Sequence, residues 1–264
     1  MNHTNKKEFF SYLSLVYGIT YLAFIICKIV DIDYSYIVPF SMVIPALGAI
    51  ITTLIFKGKF DYIQKNLKIN AWIFTGIILI LVIYILSNGF KIILFGLVFK
   101  QFSLIKIPGV FVFIQQIVLG IILGGLSATF EEIGWRGFLQ SRLLLKNTFI
   151  SYFTIGTFWA IFHFPQIFDG LIYRGHLIGG LIIHTCILIP FGILLCYIRE
   201  KSSSLICTSI THGLFNALIF TQATDVISSS NQIIEGVLWA ILFTIIVVII
   251  FFKKKLKKEL RKKG

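Results

Sequence analysis

Residues 176–198 read HLIGGLIIHTCILIPFGILLCYI and contain no Asp, Glu, Lys or Arg. A helix of about 20 such residues is long enough to cross the hydrocarbon core of a bilayer. Comparable apolar segments lie at residues 9–30, 35–56, 71–88, 111–130, 149–168, 204–221 and 233–252. The sequence therefore predicts an all-α fold, a polytopic membrane helical bundle of about eight transmembrane helices in a single domain over residues 1–264. The shorter apolar stretch 92–99 is predicted to lie at the membrane interface.

The composition of the chain also indicates that lipid is its main solvent. Hydrophobic residues make up 57% of the sequence and charged residues 13%, and the mean hydropathy is +0.92. A soluble domain carries about 25% charged residues. One soluble core of this length could not hide so much apolar surface from water.

The positive charge of the chain follows the ends of its apolar segments. The net charge is +13, and eight cations gather in the tail 253–264. Lys and Arg accumulate on the cytoplasmic flanks of membrane helices, where they meet anionic headgroups. We therefore predict a multi-pass protein of the cell membrane with both termini and the basic tail in the cytoplasm. The expected partner of these cations is membrane lipid, and nucleic-acid binding is not expected.

Ionisable residues inside membrane helices cost a few kcal/mol, so they mark candidate functional positions. The first group is Glu131-Glu132-Ile-Gly-Trp-Arg136. On a helix Glu132 and Arg136 lie on one face and can pair, whereas Glu131 is turned by about 100° and stays free to react. Taken alone, the same residues could also form the solvated end of a helix.

Two histidine motifs follow on later apolar segments. Trp159 precedes His163 by four residues, and His212 precedes Asn216 by four, which places each pair on one helix face. Taken singly, such side chains could serve only as hydrogen bonds between helices. Together with a carboxylate they supply a base for water and, from a neutral histidine and an amide, donors for an oxyanion. His184 shows no such partner pattern and is predicted to be structural or incidental.

In this order, the three motifs resemble those of the CPBP or Abi family, the CAAX-protease and bacteriocin-processing intramembrane proteases. That family shows E-E-x-x-x-R, then F-x-x-x-H, then H-x-x-x-N or H-x-x-x-D on separate membrane helices. The first and third motifs match in full, while Trp159 stands where the family usually has Phe. The similarity covers about residues 115–220, which we take as the protease-like core.

The resemblance implies hydrolysis of a peptide bond within or beside the membrane. It implies that Glu131 and His163 activate a water and that His212 and Asn216 form the oxyanion site. Three residues would support this geometry: Glu132, Arg136 and Trp159. The expected substrate is a membrane-associated peptide or protein, such as a bacteriocin-like or signal-peptide precursor. The Ile-, Lys- and Phe-rich composition looks bacterial, which makes a prenylated substrate less expected.

Two other functions, and a zinc-dependent form of the same enzyme, are the alternatives to this interpretation. One is a non-catalytic immunity protein that binds a bacteriocin, and another is a proton-coupled transporter, although we find no internal repeat of the kind many transporters show. No cofactor is favoured, because the usual H-E-x-x-H zinc motif is absent. If zinc is used, Glu131, His163 and His212 would be its ligands.

Overall fold

The computed structural model describes residues 3–64, 66–98, 100, 108–143, 147–223 and 229–263, with side chains described over 6–64, 66–98, 100, 108–143, 147–219 and 232–253. In this part of the chain all regular secondary structure is helical. In chain order the α-helices are α1 His3–Ile29, α2 Val38–Ser41, α3 Ile44–Ile55, α4 Asp61–Gln64, α5 Trp72–Lys91, α6 Val110–Leu119, α7 Gly125–Glu132, α8 Gln140–Arg142, α9 Thr148–Phe162, α10 Phe164–Phe168, α11 Leu177–Ser202, α12 Leu205–Ala223 and α13 Ser229–Lys263.

The structure confirms a polytopic helical membrane bundle. Six helical stretches in the described residues are long and apolar enough to cross a bilayer: Lys6–Ile29, Val38–Ile55, Trp72–Val98, Val110–Arg142, Leu177–Ser202 and Gln232–Lys253. Of the remaining two predicted segments, 149–168 is not one helix but breaks at His163 into α9, with 15 residues, and α10, with five, and 204–221 forms α12, with 19. At 1.5 Å per residue, α9 rises only about 22 Å, so it is shorter than a usual span.

Two boundaries differ from the sequence prediction. The predicted fourth segment ended at residue 130, but the helix runs from Val110 to Arg142 through π-helical stretches at Gly120–Gly124 and Ile133–Leu139. Hydropathy alone places the end at Phe130, where the apolar run stops, whereas the helix continues through Glu131, Glu132 and Arg136 because these side chains are buried against other helices. The stretch Ile92–Val98 is likewise not a separate interfacial element, since it continues α5 as a π-helix.

Glycines allow the central helices to approach closely. A Cβ built on Gly124 would lie 2.7 Å from the carbonyl oxygen of Gly213, and one on Gly120 would lie 2.7 Å from the Cβ of Ala217. Gly120 and Gly124 therefore allow α12 to pack closely against this helix. Gly175, four residues before Gly179, has φ +79° and open space beside it, so it serves the turn before α11.

The basic tail continues α13 to Lys263. The side chains after Lys253 and the last residue, 264, lie outside the described residues. The predicted cytoplasmic position of this tail, and of both termini, stays a prediction.

Candidate active site

An ion pair is buried in the last third of the Val110–Arg142 helix. Nη1 of Arg136 donates to Oε1 of Glu132 at 2.8 Å, and Nδ1 of His212 lies 3.0 Å from the same oxygen. The three residues are each no more than 1% exposed. Since an unpaired charge at this depth is costly, the pair fixes α12 against the π-helical turn that follows α7. The predicted pairing of Glu132 with Arg136 is confirmed.

Glu131 points to a different neighbour, as the helical rotation predicted. It is 2% exposed, and its Oε2 accepts a hydrogen bond of 2.7 Å from the indole Nε1–H of Trp159 on α9. The same indole ring lies under the guanidinium of Arg136, with 4.3 Å from Cζ to the ring centroid. Trp159 on α9 therefore contacts Glu131 through a hydrogen bond and the Glu132–Arg136 ion pair through the guanidinium of Arg136.

His163 is held at the point where α9 breaks. Pro165 has no N–H and cannot donate to the carbonyl of Ile161 four residues earlier, so that carbonyl is left for another donor. The hydroxyl of Tyr21 on α1 donates to this carbonyl at 2.8 Å. The half-buried ring of His163 then folds back, and its Nδ1 lies 2.9 Å from the carbonyl oxygen of Trp159.

The structure brings Glu131, His163 and His212 around Trp159. The centroid of its ring lies 5.6 Å from that of His163 and 5.0 Å from that of His212, while Glu131 accepts its N–H. Asn216 is half-buried and lies one turn beyond His212 on α12. Because residues four apart share one face of a helix, Asn216 lies on the same side of α12 as His212.

The hydrogen bonds assign the free nitrogen of each imidazole. A carbonyl or carboxylate oxygen only accepts, so Nδ1 of His163 and Nδ1 of His212 must each carry the proton in these bonds. Nε2 of each neutral ring is then an acceptor. The sequence predicts that a neutral His212 donates to the oxyanion. Its Nδ1–H already bonds Glu132, so a second donor, on Nε2, exists only in the imidazolium form.

The zinc alternative can be compared with this arrangement. Among the described residues, no three His, Cys, Asp or Glu side chains lie close enough together to hold one metal ion. Glu131, His163 and His212 would therefore have to rearrange to form the two-histidine, one-carboxylate set that catalytic zinc uses.

His184 lies beside the candidate site although it shows no partner pattern in the sequence. The centroid of its ring lies 5.4 Å from that of His163 and 6.0 Å from that of Tyr173, and its structural or incidental role stays a prediction. Burial raises the pKa of Tyr173, so its phenol stays neutral beside these rings. The sequence signal that could have drawn attention to His184 is its position in the apolar helix α11, where an ionisable side chain is energetically costly.

Together, these features define a class of protein: a multi-pass membrane bundle with a buried carboxylate, two histidines and an ion pair gathered on different helices. Residues 113–218 match the family described as Rce1-like, type II CAAX prenyl endopeptidase. A protein of Methanococcus maripaludis named CAAX prenyl protease 2 is 34% identical to the chain over 227 residues, which cover 78% of this chain and 80% of the relative. The chain belongs to this CAAX-type family of intramembrane proteases, as its motifs indicated.

The indole N–H of Trp159 gives a first prediction. Replacing Trp159 by Phe keeps an aromatic ring but removes the donor that holds Glu131 at 2.7 Å. A hydrogen bond to a charged group is worth about 1.5–3 kcal/mol, so we expect kcat for peptide cleavage to fall by roughly tenfold or more.

Trp239 supplies the matched control for this variant. It is a fully buried tryptophan packed against Phe215 and Phe243, and its Nε1 has no hydrogen-bond partner in the described residues. Trp239→Phe should therefore cost stability without changing kcat. Equal loss of kcat in the two variants would show that the hydrogen bond to Glu131 is irrelevant to turnover.

Proposed function

We propose that this protein is an intramembrane endopeptidase in which Glu131 and His163 activate the water that attacks the scissile peptide bond. The observation that supports this is the double use of Trp159, whose indole N–H donates to Glu131 at 2.7 Å and whose carbonyl lies 2.9 Å from Nδ1 of His163. One residue thereby orients a carboxylate and leaves Nε2 of an imidazole free to accept a proton. Both groups are suited to general-base catalysis.

In the first step, a water placed between Glu131 and His163 attacks the carbonyl carbon. Its oxygen forms the new C–O bond, its proton passes to one of these two bases, and the carbonyl π electrons move onto the oxygen. His212 and Asn216 then stabilise the resulting oxyanion through N–H donors. His212 donates as the imidazolium, for which Glu132 is an adjacent negative group at 3.0 Å.

In the second step, the protonated base returns its proton to the nitrogen of the scissile bond. The C–N bond breaks, the oxyanion collapses to a carboxylic acid, and the amine product leaves. Glu132 and Arg136 take no proton in this scheme. They hold His212 in place and offset one another's charge within the bilayer.

The proposed substrate is a membrane-associated peptide or protein, such as a bacteriocin-like or signal-peptide precursor. The burial of Glu131 within a helix of 33 residues favours a substrate that reaches the site from the membrane. The name of the Methanococcus maripaludis relative makes a prenylated peptide the second candidate.

Comparative peptidomics tests the function and chooses between these substrates. Cells carrying the intact protein should accumulate cleaved peptides that are missing from cells carrying Glu131→Ala. Purified protein is then given the matching synthetic peptide with and without a prenyl group. Identical peptide profiles in the two strains, with no cleavage of either synthetic peptide, would instead favour a non-catalytic immunity or transport role.

Asn216 is expected to contribute less than the water-activating residues. Asn216→Ala removes one proposed donor to the oxyanion and should lower kcat by about 10²–10³-fold, with little change in KM. A kcat of wild-type size in Asn216→Ala would remove this residue from the oxyanion site.

The metal alternative is tested on the purified protein. We expect cleavage to survive treatment with a strong chelator and the active protein to hold much less than one zinc per chain. Elemental analysis and activity are measured on the same sample before and after chelation. Stoichiometric zinc, with activity lost on its removal and restored by its return, would show that Glu131, His163 and His212 rearrange into a zinc site.

A further inference from the structure

A short segment over residues 164–176 borders the candidate active site. It comprises α10 and the turn that joins α10 to α11, and it follows directly on His163. The ring of Tyr173 within it lies 6.0 Å from that of His184, and the ring of His184 lies 5.4 Å from that of His163, centroid to centroid. The segment is therefore joined to one of these histidines and packs against the other.

The site that this segment borders is closed to a peptide. Glu131 and His212 are 2% and 1% exposed, and Trp159, which contacts both, is 1% exposed. A peptide bond must come within hydrogen-bond reach of such groups to be cleaved. Under the proposed function, part of the bundle must therefore move to admit substrate, as lids do in many enzymes.

The backbone of the 164–176 segment has the features of a movable element. Gly170, Tyr173 and Gly175 have φ of +76°, +55° and +79°. Glycine adopts this region readily, but a bulky side chain rarely does, and such residues collect at functional and switching segments. Contacts hold Tyr173 in this unfavourable conformation, and a movement that breaks them releases it.

Polar contacts tie the segment to α1 and α13. Asp169 pairs with Nζ of Lys28 at the end of α1, and the amide N–H of Tyr173 donates to Oε1 of Gln232 on α13 at 3.0 Å. The Lys28 side chain is 53% exposed, and an ion pair in contact with water is weak because solvent screens it. The Asp169–Lys28 pair can therefore break and form again at little cost.

Space for the movement lies beside the segment. A cavity of about 750 Å³ separates it from the end of α1, with Lys28 and Asp31 on one wall and Gly170, Leu171 and Arg174 on the other. The Leu171 side chain is 39% exposed, so this side of the segment carries little apolar packing. The segment can move into the cavity without overlapping α1.

We propose that residues 164–176 form a lid that opens to admit substrate, and that the Asp169–Lys28 ion pair latches it shut. This inference rests on the proposed function. Because the lid follows His163 and its Tyr173 packs on His184, closing the lid also returns the ring of His163 to its place beside Trp159. Substrate entry is thereby joined to assembly of the catalytic groups.

A reversible crosslink tests whether the lid must open. Lys28→Cys and Asp169→Cys are combined in a background with Cys27→Ser and Cys186→Ser. A short bifunctional methanethiosulfonate reagent then joins the two new thiols across the span of the present ion pair. We expect the crosslinked protein to lose nearly all cleavage of the peptide identified by peptidomics, and to recover it when a reductant releases the bridge.

Glu8 and Arg142 supply the matched control. They form an ion pair of 2.8 Å between the other end of α1 and the Val110–Arg142 helix. Glu8→Cys with Arg142→Cys, joined by the same reagent, should stay active. Full cleavage by the protein crosslinked between α1 and the lid would overturn the proposal. Equal loss on both crosslinks would also overturn it, since the whole bundle would then have to move.

Hydrogen exchange of the lid amides measures opening without any substrate. Lys28→Gln removes the latch, so exchange at the amide of Tyr173 and its neighbours in the lid should rise roughly two- to fivefold, while exchange in α12 stays unchanged. The crosslink between α1 and the lid should slow the same amides, and the Glu8–Arg142 crosslink should not. This measurement also decides the question if the double-cysteine protein is not recovered folded.

The two readouts separate the lid from the proposed function. Exchange that changes as expected, in a wild-type protein that cleaves no peptide, would count against the endopeptidase and leave the lid in place. Exchange of the lid amides that is the same in wild type and Lys28→Gln would overturn the latch, whether or not the protein cleaves a peptide.

Discussion

Glu131→Gln is expected to reduce the rate of peptide cleavage by about 10²–10⁴-fold, the range that a positioned general base contributes. Glutamine has nearly the same size, and its amide oxygen can still accept the N–H of Trp159 that now bonds Glu131 at 2.7 Å. What the amide cannot do is take a proton from water. The variant should therefore remain folded and bind substrate while turnover is lost, which single-turnover cleavage of a quenched peptide measures.

Glu235→Gln provides the control for this variant. Glu235 is also a buried carboxylate in a membrane helix, but it pairs with Nζ of Lys91 at 2.7 Å between α13 and α5. Breaking that pair leaves a buried cation unpaired, which is destabilising. We expect Glu235→Gln to lower the melting temperature without slowing turnover, the reverse of Glu131→Gln. Normal cleavage by purified Glu131→Gln protein would remove that residue from the chemistry.

The membrane fold could be predicted because its signal is repeated along the chain. Residues 176–198 and seven similar segments each carry the hydropathy of a span, and all eight are helical. The ends of the helices were harder to place. A buried ion pair such as Glu132 with Arg136 has the same local sequence as a solvated helix end, and only the contact with His212 on α12 distinguishes the two.

The residues of the candidate site could be named, but their contacts could not. Helical spacing correctly separated the directions of Glu131 and Glu132, because that geometry is local. The hydrogen bond from Trp159 to Glu131 depends on how α9 packs against α7, and the sequence carries no local signal for it. The nearness of His184 to His163 depends likewise on the packing of α9 on α11, where Gly156 and Gly192 come within van der Waals contact.

Close packing at another glycine leads to the second large expected effect, that of Gly213→Ala. In an exposed helix this change stabilises by about 1 kcal/mol, because alanine has the higher helix propensity. Here the new Cβ would lie 2.1 Å from the amide nitrogen of Gly125 and 2.2 Å from the carbonyl carbon of Gly124. Both are backbone atoms, so no side-chain rotation relieves the overlap. The clash therefore outweighs the gain in propensity, and α12 must move away from α7.

The displacement would act directly on the candidate site, because His212 is the residue before Gly213 and its Nδ1 bonds Glu132 at 3.0 Å. Relief of the overlap needs a movement of roughly 1 Å, and misplacement by about 1 Å can cost on the order of 10²-fold in rate. We expect Gly213→Ala to lose at least that much activity together with a marked fall in melting temperature. Gly18→Ala on α1, where nothing lies within 4 Å of the new Cβ, should retain wild-type activity and be at least as stable as the wild type. An active, stable Gly213→Ala protein would mean that α7 and α12 do not pack at this distance in the membrane.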